Sequence, residues 1–253
     1  MNWYSIYAIL HFEMSRAQRT WLQSIAGPVI ATTLYFVVFG ADAGAPLKEV
    51  DGIVYASFIV PGLTLLTVLT QSVSNAAFGI YMPRYSGAIY EVLSAPLSPA
   101  EIVLGYVGAA TLKASALGLL ILITARFFVP YGITSPVSAL GILLLCALTF
   151  SLLGFITGMC VDGWDRLQLV PSLVITPLVF LGGCFNSLTG LSPMWRTLSV
   201  LNPLSYVVDL FRWSFFGISV YPPILDLCLL LGLFFSCASI VGLILRTGYR
   251  LQL

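Results

Sequence analysis

Six runs of apolar residues are set apart by short polar gaps along the chain. A hydrocarbon core of about 30 Å takes roughly 20 apolar residues in a helix. By that measure the predicted spans are residues 25–40, 53–79, 102–128, 137–161, 169–185 and 224–245. Lipid gives the backbone no hydrogen-bond partner, so each span must be a helix or a strand of a closed barrel. The period-2 alternation of a barrel strand is missing, which leaves helices. Ahead of the first span, residues 2–18 carry Trp3, Tyr7, Leu10 and Met14 at helical spacing, with Ser5, Glu13 and Arg16 interleaved. This stretch reads as an amphipathic helix in the membrane interface, or as a plain extension of the first span; its aromatic rings favour the interface.

The gap before the last span is long, apolar and punctuated. Ser192-Pro193 and Asn202-Pro203 each place an N-capping residue before a Pro at the first helical position. They predict helices over 193–200 and 203–216, rising only ~12 Å and ~21 Å, too short to cross. Residues 193–216, including Trp195, are therefore expected to enter and leave by one face, the one away from the termini. Asp209 and Arg212, three apart, are placed to pair there.

Composition turns this pattern into a class. Of 253 residues, 59% are hydrophobic and 8% charged, and the mean hydropathy is +1.00. Soluble domains carry about 25% charged residues, so the chain reads as an all-α membrane protein of six transmembrane helices. Its net charge of +1, with scattered basic residues, excludes a nucleic-acid partner. Arg16, Arg19, Arg84, Arg166, Arg246 and Arg250 fall on one side of the predicted spans, and Lys48, Arg126, Arg196 and Arg212 on the other. That bias predicts both termini in the cytoplasm. No signal-peptide cleavage site follows the first apolar run.

The candidate chemistry is sparse. The five cysteines form no C-x-x-C pair and His11 is the sole histidine, so metal, disulfide and catalytic sites are not expected. No G-x-x-x-x-G-K-[ST] occurs, hence no cradle for nucleotide phosphates. In the second span Thr64, Thr67, Gln71, Ser74 and Asn75 share one helical face. Such a stripe faces either a water-filled path or a neighbouring helix. Lys113 lies inside the third span, where an ammonium must snorkel, pair internally or meet an anionic substrate. Pro61, Pro171 and Pro177 are expected to bend the second and fifth spans.

Three separated motifs carry a family resemblance. The stretch Leu169–Gly217 contains Pro177-x-x-Phe180-Leu181-Gly182-Gly183-x-Phe185, then Pro193-x-Trp195 and Leu201-Asn202-Pro203, ending near Arg212. "FIVPGL" occupies Phe58–Leu63, and "RYSGAIYEVLSAPLSPAEIVLGY" occupies Arg84–Tyr106. Together they resemble the permease subunits of type-2 ABC exporters, a family that moves O-antigen polysaccharide, teichoic acid, nodulation factor and some antibiotics. The resemblance implies six helices per subunit, an interfacial N-terminal helix, and re-entrant helices before the last span. It implies a homodimer in the bacterial inner membrane, bound to two ABC ATPase subunits that hold the ATP and Mg this chain lacks. It makes residues 84–96 a coupling helix region, with Arg84, Ile89, Tyr90, Glu91 and Leu93 meeting the ATPase, where spacing alone also allows a solvated loop. A second contact is expected at Asp162–Gln168. It places the second-span stripe, with Ser172 and Thr176 of the fifth, on a translocation path. The rival classes are an ion-coupled secondary transporter, which needs carboxylates inside the spans, and a membrane-embedded enzyme.

Overall fold

The computed structural model describes residues 3–41, 49–50, 52–187, 190 and 192–247. Helix α1 covers Trp3–Arg19, and a π-helical turn at Leu22–Ala26 leads into α2, Gly27–Ala41. A two-residue hairpin, β1 (Glu49–Val50) and β2 (Ile53–Val54), pairs antiparallel before α3, Tyr55–Ser86. Next come α4 (Ile89–Ser94), α5 (Pro99–Phe128), α6 (Pro136–Cys160) and the single turn α7 (Trp164–Leu167). A second π-helical turn, Val170–Ile175, continues into α8, Thr176–Leu181. Helices α9 (Pro193–Leu201), α10 (Pro203–Phe216) and α11 (Pro223–Thr247) complete the described chain. Among the described residues, six helical stretches are long and apolar enough to cross a membrane.

Helix α3 is the hub, packed by α2, α5, α6, α10 and the second π turn. Its span is 72% buried, against 11% for Leu22–Phe39 and 22% for each of Trp164–Leu181 and Pro223–Thr247. The tightest contact is with α6, and Gly154 and Gly158 make it possible. A Cβ at either would stand 2.4 Å from the carbonyl oxygen of Val73 or Ala77. With no hydrophobic drive between helices in lipid, such a small-residue seam gains its energy from close backbone packing.

The two π turns share a cause. Each ends two residues before a proline, Pro28 and Pro177. Proline has no N–H to donate to the carbonyl four residues back, and the ladder slips by one just ahead of it. The Gly27 N–H therefore goes to Leu22 O and the Thr176 N–H to Pro171 O. The bend expected at Pro171 and Pro177 is thus a widened turn, whereas α3 stays continuous as a helix through Pro61.

The loops gather at two ends. At the end opposite α1, Ser57 Oγ donates to Pro130 O at 2.8 Å and Thr134 Oγ1 to Phe215 O at 2.8 Å. At the α1 end, Ile80, Ile89, Ile102, Val241 and Ile244 form one apolar cluster. The two short helices differ in burial. Helix α10 is buried among α3, α6, α8 and α11, while α9 leaves Met194, Trp195 and Leu201 exposed. Asn202 caps α10 as expected, accepting from the Leu204 N–H at 3.0 Å while its Nδ2 donates to Leu178 O at 2.6 Å. Ser192 makes no such side-chain cap for α9.

Replacing Gly158 with Leu drives a side chain into the α3 backbone. It should cost about 3 kcal/mol or more, read as a lower unfolding temperature in detergent. Gly141→Leu, where the added Cβ meets nothing within 4 Å, should leave that temperature unchanged.

Candidate functional site

Between Ser57 and Tyr81 of α3 the residues its own chain leaves partly open are Leu66, Thr67, Thr70, Gln71, Ser74, Asn75 and Phe78. They form one stripe at helical spacing, and most of it is polar. The opposite face, with Phe58, Leu65, Val68, Leu69, Ser72 and Val73, is buried. A helix in lipid would be expected to do the reverse, keeping polar groups inside. Thr67 and Thr70 satisfy their hydroxyls on the carbonyls of Leu63 and Leu66, at 3.0 and 2.8 Å. The side chains of Gln71, Ser74 and Asn75 have no hydrogen-bond partner among the described residues. Thr70 was absent from the sequence-based set, although it lies three residues from Thr67. Thr64 leaves that set: it is fully buried, and its hydroxyl donates to Val60 O at 2.8 Å. Ser172 is exposed on the second π turn, which packs on α3, and Thr176 Oγ1 donates to Pro171 O at 2.9 Å.

At the α1 end, the region expected to couple has a buried side and a free side. Arg84 was expected at the docking edge but is only 5% exposed, and its Nη1 donates to Gly158 O and Met159 O, 2.8 Å each. The last carbonyls of a helix lack intrahelical donors and carry partial negative charge, so the end of α6 draws the guanidinium inward. Ile89 is also turned in, 2% exposed within the cluster of Ile80 and Ile102. Between α3 and α4 the chain reverses at Gly87, with φ of +80°, a left-handed conformation that favours glycine. Tyr85, Tyr90 and Glu91 remain exposed. The side chain of Leu93 lies outside the described residues. Trp164 of α7 packs edge-on to Phe78 and Tyr81 of α3, centroids 5.2 and 6.4 Å apart. The expected second contact region is thereby tied to the same helix end.

Lys113 neither snorkels nor stands alone. Its Nζ lies 2.8 Å from Glu13 Oε2, and Arg16 Nη2 lies 2.6 Å from the same oxygen. Glu13 is 2% exposed, so its expected place on the polar face of α1 is corrected: the cations of α1 and α5 draw it inward. The outward face of α1 carries Trp3, Tyr4, Tyr7 and Phe12. Glu13 was missed from sequence, yet a lone Lys in an apolar span demands an anion.

At the opposite end, Asp209 Oδ2 accepts from the N–H groups of Val220 and Tyr221, at 2.8 and 3.0 Å. Arg212 donates to Gly183 O, with its guanidinium 3.8 Å from the centroid of the Phe58 ring. Asp226 is fully buried, and neither carboxylate oxygen has a hydrogen-bond partner among the described residues. Among the described residues no three His, Cys, Asp or Glu side chains group as metal ligands would.

The profile of the family described as "ABC-2 type transporter" matches residues 4–216. The chain is 38% identical over 222 residues to the Inner membrane transport permease YadH of Escherichia coli (strain K12), covering 88% of this chain and 87% of that protein. It is 26% identical over 233 residues to Nodulation protein J of Rhizobium leguminosarum bv. viciae, covering 92% and 87%.

Glu13→Ala strands two cations and should cost about 3–5 kcal/mol of stability. A Glu13→Leu, Lys113→Met double variant should cost clearly less. Thermal unfolding of the single and double variants, set out as a mutant cycle, checks both.

Proposed function

The chain belongs to the ABC-2 type transporter family as a membrane permease of an ABC transporter, and on that footing we propose that it is the membrane half of an ATP-driven exporter. The permease itself is not the catalytic component, and the family implies an ABC ATPase partner. YadH is described as an inner membrane permease, and six apolar helices fit a multi-pass place in that membrane. Two copies of the chain would bind two ATPase subunits, with ATP and Mg held by the latter. Both termini and α4 would face the cytoplasm, with the outward aromatic face of α1 at headgroup depth. Cargo would be amphipathic: lipid-linked, polysaccharide or drug-like.

The observation that carries this reading is the bare polar stripe of α3. Amide and hydroxyl groups turned to hydrocarbon are costly, so Gln71, Ser74 and Asn75 call for water, cargo or a second subunit. A homodimer closed around α3 supplies all three. The π turns beside Pro28 and Pro177 sit in two of the three spans their own chain covers least. Such turns recur at functional sites, and here they suit the helices that part to open the path. The exposed Tyr85, Tyr90 and Glu91 offer an edge for a cleft in the ATPase. Closure of that cleft would reach α6 through Arg84, and α7 through the rings of Tyr81 and Trp164.

An ion-coupled mechanism has one observation in its favour, the buried carboxylate of Asp226. Reconstitution with an ABC ATPase that binds this chain separates the two. Export should require ATP and stop when the ATPase is omitted; transport by the chain alone along an ion gradient would refute the proposal. Glu91→Arg should leave the chain folded and abolish export, and Gln71→Leu should slow export with ATPase binding intact. Wild-type export by Glu91→Arg would remove α4 from the coupling role.

A further inference from the structure

A cavity of about 610 Å³ opens where the end of α1 and the first π turn cross α3 and α5. That is within the usual size of a ligand site. Its wall is mostly apolar, with Trp21, Ile25, Leu117 and Leu120 among the lining residues. Trp21, Ile25 and Leu120 are 55%, 39% and 38% exposed, so the apolar mouth lies open on the surface that lipid would cover. The polar groups converging on it are Gln18, Ser24, Asn75 and Lys113.

Charge and depth narrow the occupant. Glu13 faces two cations, Arg16 and Lys113, both on Oε2, so the cluster keeps a net positive charge. An ammonium has three donors, and among the described residues Lys113 uses one, on Glu13. Its side chain is 9% exposed, so the charge is fixed in place rather than loose in solvent. Lys113 stands fifteen residues before Phe128, the far end of α5, about 22 Å of helical rise. With Phe128 at the far boundary of a hydrocarbon core of ~30 Å, that puts the Lys113 Cα roughly 8 Å inside the boundary on the α1 side. That depth is within reach of a lipid phosphate drawn slightly inward, with its acyl chains along Trp21 and Leu120.

We propose that this cavity binds an anionic phospholipid of the leaflet on the α1 side, its phosphate held by Lys113 and its chains by the apolar wall. This goes beyond the export reading and does not depend on it, since neither cargo nor ATPase enters the argument. The lipid would wedge between α1 and α5 and would touch Asn75, a member of the polar stripe of α3.

The test is native mass spectrometry of the full-length chain in detergent, with phosphatidylglycerol or phosphatidylcholine added. The wild type should retain phosphatidylglycerol in preference to phosphatidylcholine. Ala116→Phe fills the cavity while sparing the Glu13–Lys113 pair, and should abolish the retention. Lys113→Gln should weaken phosphatidylglycerol binding about tenfold, the equivalent of one charge-assisted hydrogen bond, and erase the preference. Inorganic phosphate at millimolar concentration should not displace the lipid. Equal retention of both lipids by the wild type, or undiminished retention by Ala116→Phe, would overturn the proposal. Displacement by inorganic phosphate would assign the site to a free anion and overturn the lipid. Because no transport is measured, this result and the failure of the export reading remain separate.

Discussion

A polar group turned toward hydrocarbon has nothing to bond, and α3 carries a row of them on the one face its own chain leaves bare. This constraint organises the rest of the fold. The apolar face of α3 is consumed by packing with α5, α6 and α10, and the small-residue seam at Gly154 and Gly158 brings α6 against its backbone. What remains open is Thr67, Thr70, Gln71, Ser74 and Asn75. The chain is therefore complete in its core but incomplete at its surface, and what covers the stripe must bring polar groups: water, protein or, at Asn75, a lipid headgroup.

The end of α3 that bears this stripe toward α1 is also mechanically bound. Arg84 ties its last turn to the carbonyls that end α6, and Phe78 and Tyr81 meet Trp164 of α7. Glu13 sits between α1 and α5, held by a cation from each. A displacement of α4 would act on a braced set of helix ends rather than on a free loop. The two spans with π turns are, with α11, the least braced, as expected of elements drawn from the low-stability end of a structure.

Much of the architecture could be read from the sequence, because lipid imposes a simple rule on length and polarity. The six apolar stretches, the short helices begun by Pro193 and Pro203, and the cap at Asn202 all follow from local chemistry. The individual roles of charged residues were less legible. Arg84 and Glu13 look like surface residues in one dimension, and only packing shows the partner each one meets across 74 and 100 positions of sequence. Ile89 likewise reads as a free apolar group until it is seen buried in the cluster of Ile80 and Ile102. Periodicity placed Thr64 with Thr67 on one face, but helix α3 turns Thr64 into its packed side. The π turns were invisible as such: Pro28 and Pro177 announce a disturbance, while its form depends on where the freed carbonyl finds a donor.

The most direct measurement is the water accessibility of α3. In a cysteine-free background, cysteines would be placed one at a time at Gln71, Asn75 and Ile123, the last an exposed apolar position of α5. A charged, membrane-impermeant thiol reagent would then be applied to the assembled transporter. The account predicts modification at 71 and 75, changing with ATP, and none at 123. Equal inertness of all three positions would contradict it.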